Sequence, residues 1–480
     1  MRFDNSYARL PDRFYTRTPP VAVAGPRMLK FNQALADDLG LDLPTDEQTR
    51  AKIFTGNLNP EGGEPLALAY AGHQFGHFNP QLGDGRAVLI GEIVARDGRR
   101  LDMQLKGSGR TPFSRGGDGR AAFGPVLREY LISEAMHALG APTTRSLAAA
   151  ATGETVYREA ALPGAVLTRI ASSHLRIGTF QYFAARGDGE AVRLLVDYAI
   201  KRLYPHLAGA ANPALALMEA VVEAQAKLIA KWLSVGFIHG VMNTDNTAIS
   251  GETIDYGPCA FVDAYNHMAV FSSIDAQGRY AYANQPPIGQ WNLARFAETL
   301  LGVIDDDKDR AVSQATQTLE AFMPAHHAHW TRLMRAKLGL LLEEEGDTEL
   351  ARDLFNVMHA SKGDFTLTFR TLPAHMEADA SSAEDSPEMS AWLAVWRARH
   401  GRERQSPEAR RALMESVNPI FTPRNHRVEQ ALDQATRGDF TAFDRLLAAV
   451  SQPFEARADM IELAQPPRPD ERVLQTFCGT

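Results

Sequence analysis

A polar run, His239-Gly240-Val241-Met242-Asn243-Thr244-Asp245-Asn246, is followed nine residues after Asn246 by Asp255-Tyr256-Gly257. Side-chain oxygens of Asn246 and Asp255, on two nearby turns, suit a hard divalent cation that also holds phosphate oxygens. Asp and Asn also simply make turns, and that reading stands beside the first. A second pair is Lys106, closing an alternating pattern, and Glu129, 23 residues later on a helical pattern. An ammonium steadied by a helix carboxylate grips phosphate. The alternative is two solvated surface residues. A third piece, Gly83-Asp84-Gly85-Arg86, lets backbone N–H groups approach phosphate oxygens and adds a guanidinium, although a hairpin turn looks the same. Neither GxxxxGK[ST] nor a GxGxxG after a strand occurs.

Residues 96–120 hold seven Arg or Lys against three Asp, and Arg169 and Arg176 add two guanidinium groups outside that stretch. Arginine grips phosphate bidentately, so a polyphosphate ligand fits; a solvated basic face is the plainer reading. Single-stranded RNA wants aromatic platforms, and only Phe113 and Phe123 are near. In a protein kinase the pattern H-R-D-x-x-x-x-N carries the base at its Asp. Aligned on His239 and Asn246, that position is Val241, which accepts no proton. Either the chain is catalytically silent, or another base serves a differently placed substrate. Asp245 is the nearest candidate.

These residues need elements to position them. The sequence predicts an extended stretch at 17–26, a strand near the end of 66–96 and a second at 101–106 (LDMQLK). The glycine-rich 107–120 is irregular, and 125–139 is a helix with Pro125 near its start and Gly140 at its end. A hairpin is expected at 155–170. Helices are expected at 189–204, 214–235, 292–305, 308–345, 347–360, 387–400, 407–416 and 425–449, with a strand-and-loop island at 237–263 and a linker at 378–390. The expected class is α+β: a β-rich N-terminal part (1–165), a helical part (166–380) holding the island, and a helical C-terminal extension (381–480) packed on the helical part. Two lobes imply a cleft, and clefts hold ligands.

The chain has 480 residues, net charge −8, 45% hydrophobic and 22% charged residues. That is globular composition, long enough for roughly two to four folding units. The mild acidity argues against a general nucleic-acid binder. Two cysteines exclude a disulfide framework, and no CxxC occurs. With no apolar leader at the N-terminus and no apolar run of spanning length, no membrane is expected and a reducing, cytoplasmic setting is. A monomer is expected, because no coiled-coil seam is visible. His73 and His77 have helical i,i+4 spacing, and His326, His327 and His329 cluster near Trp330. Metal binding is the less favoured reading of both groups.

Taken together, the strings FDNSYARLP, AGHQFGHFNPQLGDGRA, QLKGSGRTPFSRGGDGRA, LREYLISEAM, HGVMNTDN, DYGP and NPIFTPRNH resemble the selenoprotein O (SelO) family over essentially the whole chain. The resemblance implies a two-lobed, protein-kinase-like fold and a pseudokinase-derived protein adenylyltransferase. Such an enzyme moves AMP from ATP to Ser, Thr or Tyr hydroxyls of proteins and releases pyrophosphate, with the nucleotide flipped relative to kinases. It implies nucleotide contacts at Gly83, Gly85, Arg86, Lys106, Asp118, Gly119, Arg169, Arg176 and Asp255. It further implies Asp245 as proton acceptor, Asn246 and Asp255 as ligands of Mg²⁺ (or Mn²⁺), and Glu129 as the partner of Lys106. A phosphotransferase of kinase type and a silent nucleotide-binding scaffold remain open. Cys478, near the C-terminus, stands where some members carry selenocysteine. Cys259 and Cys478 read either as one buried and one loose cysteine or as a redox latch across the site.

Overall fold

The computed structural model describes residues 1–376 and 386–477. The N-terminal part begins with β1 (Tyr15–Arg17), β2 (Arg27–Phe31), α1 (Gln33–Leu39), α2 (Glu47–Thr55) and β3 (Leu66–Leu68). It continues with β4 (Gly72–Gln74), β5 (His77–Asn79), β6 (Ala87–Val94), β7 (Arg100–Lys106), β8 (Ala121–Ala122), α3 (Phe123–Ala138), β9 (Arg145–Tyr157) and β10 (Ala161–Ala171). A helical run follows: α4 (Ile177–Ala184), α5 (Gly189–Leu203) and α6 (Pro213–Ser234). The ribbon β11 (Phe237–Ile238) and β12 (Ala260–Phe261) brackets the polar island. Then come α7 (Gln285–Ile304), α8 (Lys308–Glu320), α9 (Phe322–Lys337), α10 (Asp347–Ser361), α11 (Phe365–Thr371), α12 (Pro387–His400), α13 (Pro407–Val417), α14 (Asn425–Thr436) and α15 (Thr441–Val450). The class is mixed α+β.

One antiparallel sheet runs β1-β3-β6-β7-β10-β9-β2, with β8 on β10. Its centre is apolar on both faces: Val88, Ile90, Leu105 and Val166 meet α1 and α2, while Leu89, Ala149 and Leu167 join the core that includes α3. The expected hairpin at 155–170 is longer than its pattern suggested, because β9 starts at Arg145. Ala148–Ala151 are poor strand formers by propensity, yet all are buried. Their small side chains let β2, β10 and α3 close on them.

Side-chain caps start many helices. Asp188, Asn212, Asp307, Asp364, Ser386 and Ser406 each accept a first-turn backbone N–H. The helix expected over 308–345 is two helices and a tail. Pro324 sits in the first turn of α9, where its missing N–H and ring exclude a continuous helix. Gly339, at φ +72°, ends α9. The helix expected over 425–449 breaks at Gly438, φ +96°. The last helices also depart from expectation in where they pack. Phe440 stacks edge-on against Phe123 of α3, and the Lys30 ammonium of β2 lies 4.7 Å from the Phe440 ring, so α14 and α15 close on the sheet-side helix. Residues 378–385 of the expected linker lie outside the described residues; α12 then begins at Pro387.

Candidate active site

Strand β7 delivers Lys106 to the sheet end facing the polar island. The Lys106 ammonium donates to Glu129 Oε2 at 2.7 Å and to Asp255 Oδ1 at 2.9 Å. Arg169, on β10, donates to Glu129 Oε1 at 2.5 Å and to Asp255 Oδ1 at 2.5 Å. Arg176, at the start of α4, donates to Asp255 Oδ2 at 3.1 Å and to the Asp245 carbonyl at 2.8 Å, and lies 4.6 Å from the Tyr70 ring. A strand, a helix, a second strand and the island thus meet in one ionic knot. The structure therefore excludes the solvated-surface alternative for Lys106 and Glu129: both are buried or half-buried and paired.

Burial alone would raise the pKa of Asp255, but Arg169, Lys106 and Arg176 outweigh it and hold the carboxyl well below its usual range. Glu129 behaves the same way, with Arg169 and Lys106 overcoming burial. Asp245 goes the other way. Burial pushes it up to about 6 against the pull of Arg176. Its Oδ1 is buried without a hydrogen-bond partner, and its Oδ2 accepts from Gln74 Nε2 at 3.2 Å. Asp255 adopts φ +64°, a left-handed conformation that Asp tolerates better than most residues. Strain of this kind concentrates at functional sites.

A cleft of about 720 Å³ lies over this knot. Gly83, Gly85, Arg86, Lys106, Asp118, Gly119, Glu129, Arg169, Arg176, Asp245, Asn246 and Asp255 all line it. Val241 lines it too, presenting an apolar side chain. Asn246 donates its amide to the Val241 carbonyl at 3.1 Å, which leaves its own Oδ1 without a protein donor among the described residues. An amide oxygen and an ionised carboxylate are hard donors of the kind Mg²⁺ takes, and both Asp255 oxygens are already engaged by Lys106, Arg169 and Arg176.

The glycines of 83–85 have a packing reason as well. A Cβ on Gly83 (φ +68°) would lie 2.3 Å from the Phe113 ring. The N–H groups of Gly83 and Gly85 are spent on the Tyr70 and Gly83 carbonyls, at 3.0 and 2.8 Å. The loop therefore meets the cleft chiefly through Arg86. In the glycine-rich insertion, a Cβ on Gly119 would sit 2.1 Å from the Gly109 carbonyl oxygen. Asp118 takes both Arg158 nitrogens, at 2.9 and 3.0 Å, and so ties the insertion to the tip of the β9–β10 hairpin.

Sequence reasoning missed the β4–β5 hairpin. His73 N donates to Thr244 Oγ1 at 2.7 Å, and Phe75 N donates to Asn243 Oδ1 at 3.0 Å. With the Gln74 bond, three consecutive hairpin residues grasp three consecutive island residues. A Cβ on Gly72 would lie 2.5 Å from Asp245 Oδ1, so glycine permits the approach. The i,i+4 spacing of His73 and His77 is therefore not helical. They lie on paired strands, with His77 opposite Gln74. Glycine at 72 and 76 was the available signal. Buried Asp84, 3.9 Å from Arg176, was also missed. His326 is buried rather than solvated, and no group of three or more His, Cys, Asp or Glu able to hold a metal occurs among the described residues.

Cys259 is buried, and burial pushes its thiol up to about 11. Arg128 donates to its carbonyl at 2.6 Å. Cys478 lies outside the described residues.

The family model described as "Protein adenylyltransferase SelO" matches residues 1–451. This chain belongs to the SelO family. Curated relatives are called "Protein nucleotidyltransferase YdiU". The one from Rhizobium etli is 59% identical over 485 residues, covering 100% of this chain and 97% of the relative. That from Rhizobium meliloti is 59% identical over 486 residues, covering 100% and 99%. That from Bradyrhizobium sp. (strain ORS 278) is 58% identical over 486 residues, again covering 100% and 99%. As a SelO chain, the protein is an enzyme of the nucleotidyltransferase class. No helix among its described residues is long and apolar enough to cross a membrane.

Proposed function

We propose that this SelO chain transfers AMP from ATP to Ser, Thr or Tyr hydroxyls of proteins and releases pyrophosphate. The supporting observation is one juxtaposition. Buried Asp245, with an unpartnered oxygen, lines the same cleft as the Lys106–Glu129 pair and Asp255. Val241 offers no base at the position a kinase would use. A base displaced toward Asp245 suits attack on a different phosphorus atom. The proposed architecture is kinase-like and two-lobed, with lobes at 1–165 and 166–380, a C-terminal extension at 381–480, and a nucleotide flipped relative to kinases.

In this reading Lys106, Arg86 and Arg176 bind phosphate oxygens, and Glu129 and Arg169 keep Lys106 and Asp255 in place. Gly83, Gly85, Asp118 and Gly119 shape the loops that border the nucleotide. The acceptor oxygen attacks the α-phosphorus, the bond to the α–β bridging oxygen breaks, and pyrophosphate departs with that electron pair. Asp245 orients the hydroxyl and takes its proton. Asn246 and Asp255 would hold Mg²⁺ or Mn²⁺, which when bound offsets charge on the phosphate oxygens. Positioning and fixed charge supply most of the rate.

The small-molecule product tests this. Incubation with ATP, Mg²⁺ and a mixed protein pool releases pyrophosphate in proportion to protein modification. Release of ADP instead identifies a phosphotransferase. ATP binding with neither product identifies a scaffold.

A further inference from the structure

The hairpin that touches Asp245 also carries a cationic, aromatic surface. Trp291 of α7 meets the His73 ring edge to face, with centroids 5.3 Å apart. The Arg279 guanidinium lies 4.7 Å from the Trp291 ring centroid, and Arg295 lies 5.1 Å from it. At the other end of the hairpin Arg186 covers Tyr182 at 3.6 Å and donates to the Pro80 carbonyl at 3.1 Å. Phe78, its ring tilted against His73 with centroids 4.8 Å apart, is 41% exposed.

These arginines are poorly compensated. Among the described residues no carboxylate lies within 4.0 Å of the Arg186 or Arg279 side chain, and Arg295 has only Glu298, at 2.6 Å. The nearby Asp275 carboxylate is spent on the backbone N–H groups of Arg279 and Tyr280, at 2.9 and 2.8 Å. A cationic patch with one ion pair to three arginines, in a chain of net charge −8, is a local choice, not an average property. Stacking on rings holds the planar guanidinium forks in place, so less side-chain freedom is lost when they meet an anion. The patch also has a fixed relation to the chemistry. Its floor belongs to the residues that bond Thr244 and Asp245, and Gln74 and Phe75 of the same hairpin line the cleft.

We propose that Arg279 and Arg295, on Trp291, together with Arg186 at the other end of the hairpin, dock an acidic segment flanking the hydroxyl that the enzyme modifies. This rests on the AMP-transfer reading above and adds the substrate class. Carboxylates on the segment take the guanidinium forks bidentately, and the polypeptide then presents its hydroxyl past Phe75 to Asp245. Rim charges of this kind set encounter and KM more than the chemical step.

The test uses full-length protein, ATP labelled at the α-phosphate, and two synthetic peptide mixtures. Both present Ser, Thr and Tyr, one flanked by Asp and Glu and the other by Lys and Arg. Wild type labels the acidic mixture at least about tenfold better in kcat/KM, and rising salt erodes the preference. The double variant R279E/R295E raises KM for the acidic mixture about tenfold or more and leaves ATP affinity, read by calorimetry, as in wild type. That affinity also shows that the variant is folded. Equal labelling of both mixtures by wild type, or an unchanged KM in the folded variant, overturns the proposal. Poly(U) displacing the acidic peptides at lower concentration than they displace each other overturns it in favour of a nucleic-acid surface. If wild type labels its own chain or other proteins but neither mixture, docking fails and AMP transfer stands. If it labels nothing, both fail.

Discussion

Asp245 and Asp255 are carboxylates ten residues apart, the first buried and the second half-buried, pushed in opposite directions. Three cations hold Asp255 ionised; Asp245, left with an unpartnered oxygen, is the more basic of the two. Asp245→Asn keeps the shape and removes the proposed proton acceptor. It should lower kcat by about 10²–10³ with ATP affinity unchanged, measured by turnover and calorimetry. Gln74 is a positioning residue, because it fixes one oxygen of Asp245 and leaves the other free. Gln74→Met deletes one hydrogen bond and should lower kcat roughly tenfold at constant KM for ATP. Gln74→Glu, which sets a like charge against Asp245, should lower it further. The Lys106–Glu129 pair was legible in the sequence because a strand pattern and a helix pattern each place one partner. Gln74 was not, because nothing local shows that residue 74 meets residue 245. That contact is made by the tertiary fold.

At the scale of elements, the turn 250–252 is pinned to the end of β10. Glu252 accepts from Ser172 N at 3.1 Å, Ser172 Oγ at 2.9 Å and Ser250 Oγ at 3.0 Å. Burial nonetheless raises Glu252 to about 7. The folded state therefore holds this proton over a pH range where the unfolded chain has lost it. Stability should fall as pH rises from about 4.5 to about 7 and level off above, by roughly 3 kcal/mol from this group. Glu252→Gln should flatten that slope in denaturant titrations at several pH values. An unchanged slope would show that the group does not titrate there. The end of α3 was legible because Gly140 marks it, whereas apolar periodicity carried the expected helices on through Pro324, Gly339 and Gly438, where the structure breaks them. The start of β9 was not legible, because its alanines carry no strand signal and owe their conformation to the neighbours that bury them.

At the scale of the molecule, the C-terminal helices are joined to the site's scaffold. Arg424 is 1% exposed and donates to Asp263 at 2.9 Å and to Asp364 at 2.7 and 2.9 Å. Its neighbour Asn425 accepts from Phe261 N at 3.1 Å and donates to Phe261 O at 2.7 Å. One arginine thus links the segment leaving β12, the start of α11 and the entry to α14. Arg424→Ala leaves two carboxylates facing each other and should cost about 3–5 kcal/mol, read by urea unfolding. The α+β class was legible from the change of character near residue 190. The return of α14 and α15 to α3 was not, since periodicity names a buried face but not its partner.

The central claim is transfer of the α-phosphoryl group with its nucleoside. The most direct measurement incubates the enzyme, Mg²⁺ and protein with ATP labelled at either the α- or the γ-phosphate, using wild type and Asp255→Ala. The account predicts protein-bound label from the α-position only, lost in Asp255→Ala. Label from the γ-position would contradict it and make the enzyme a phosphotransferase.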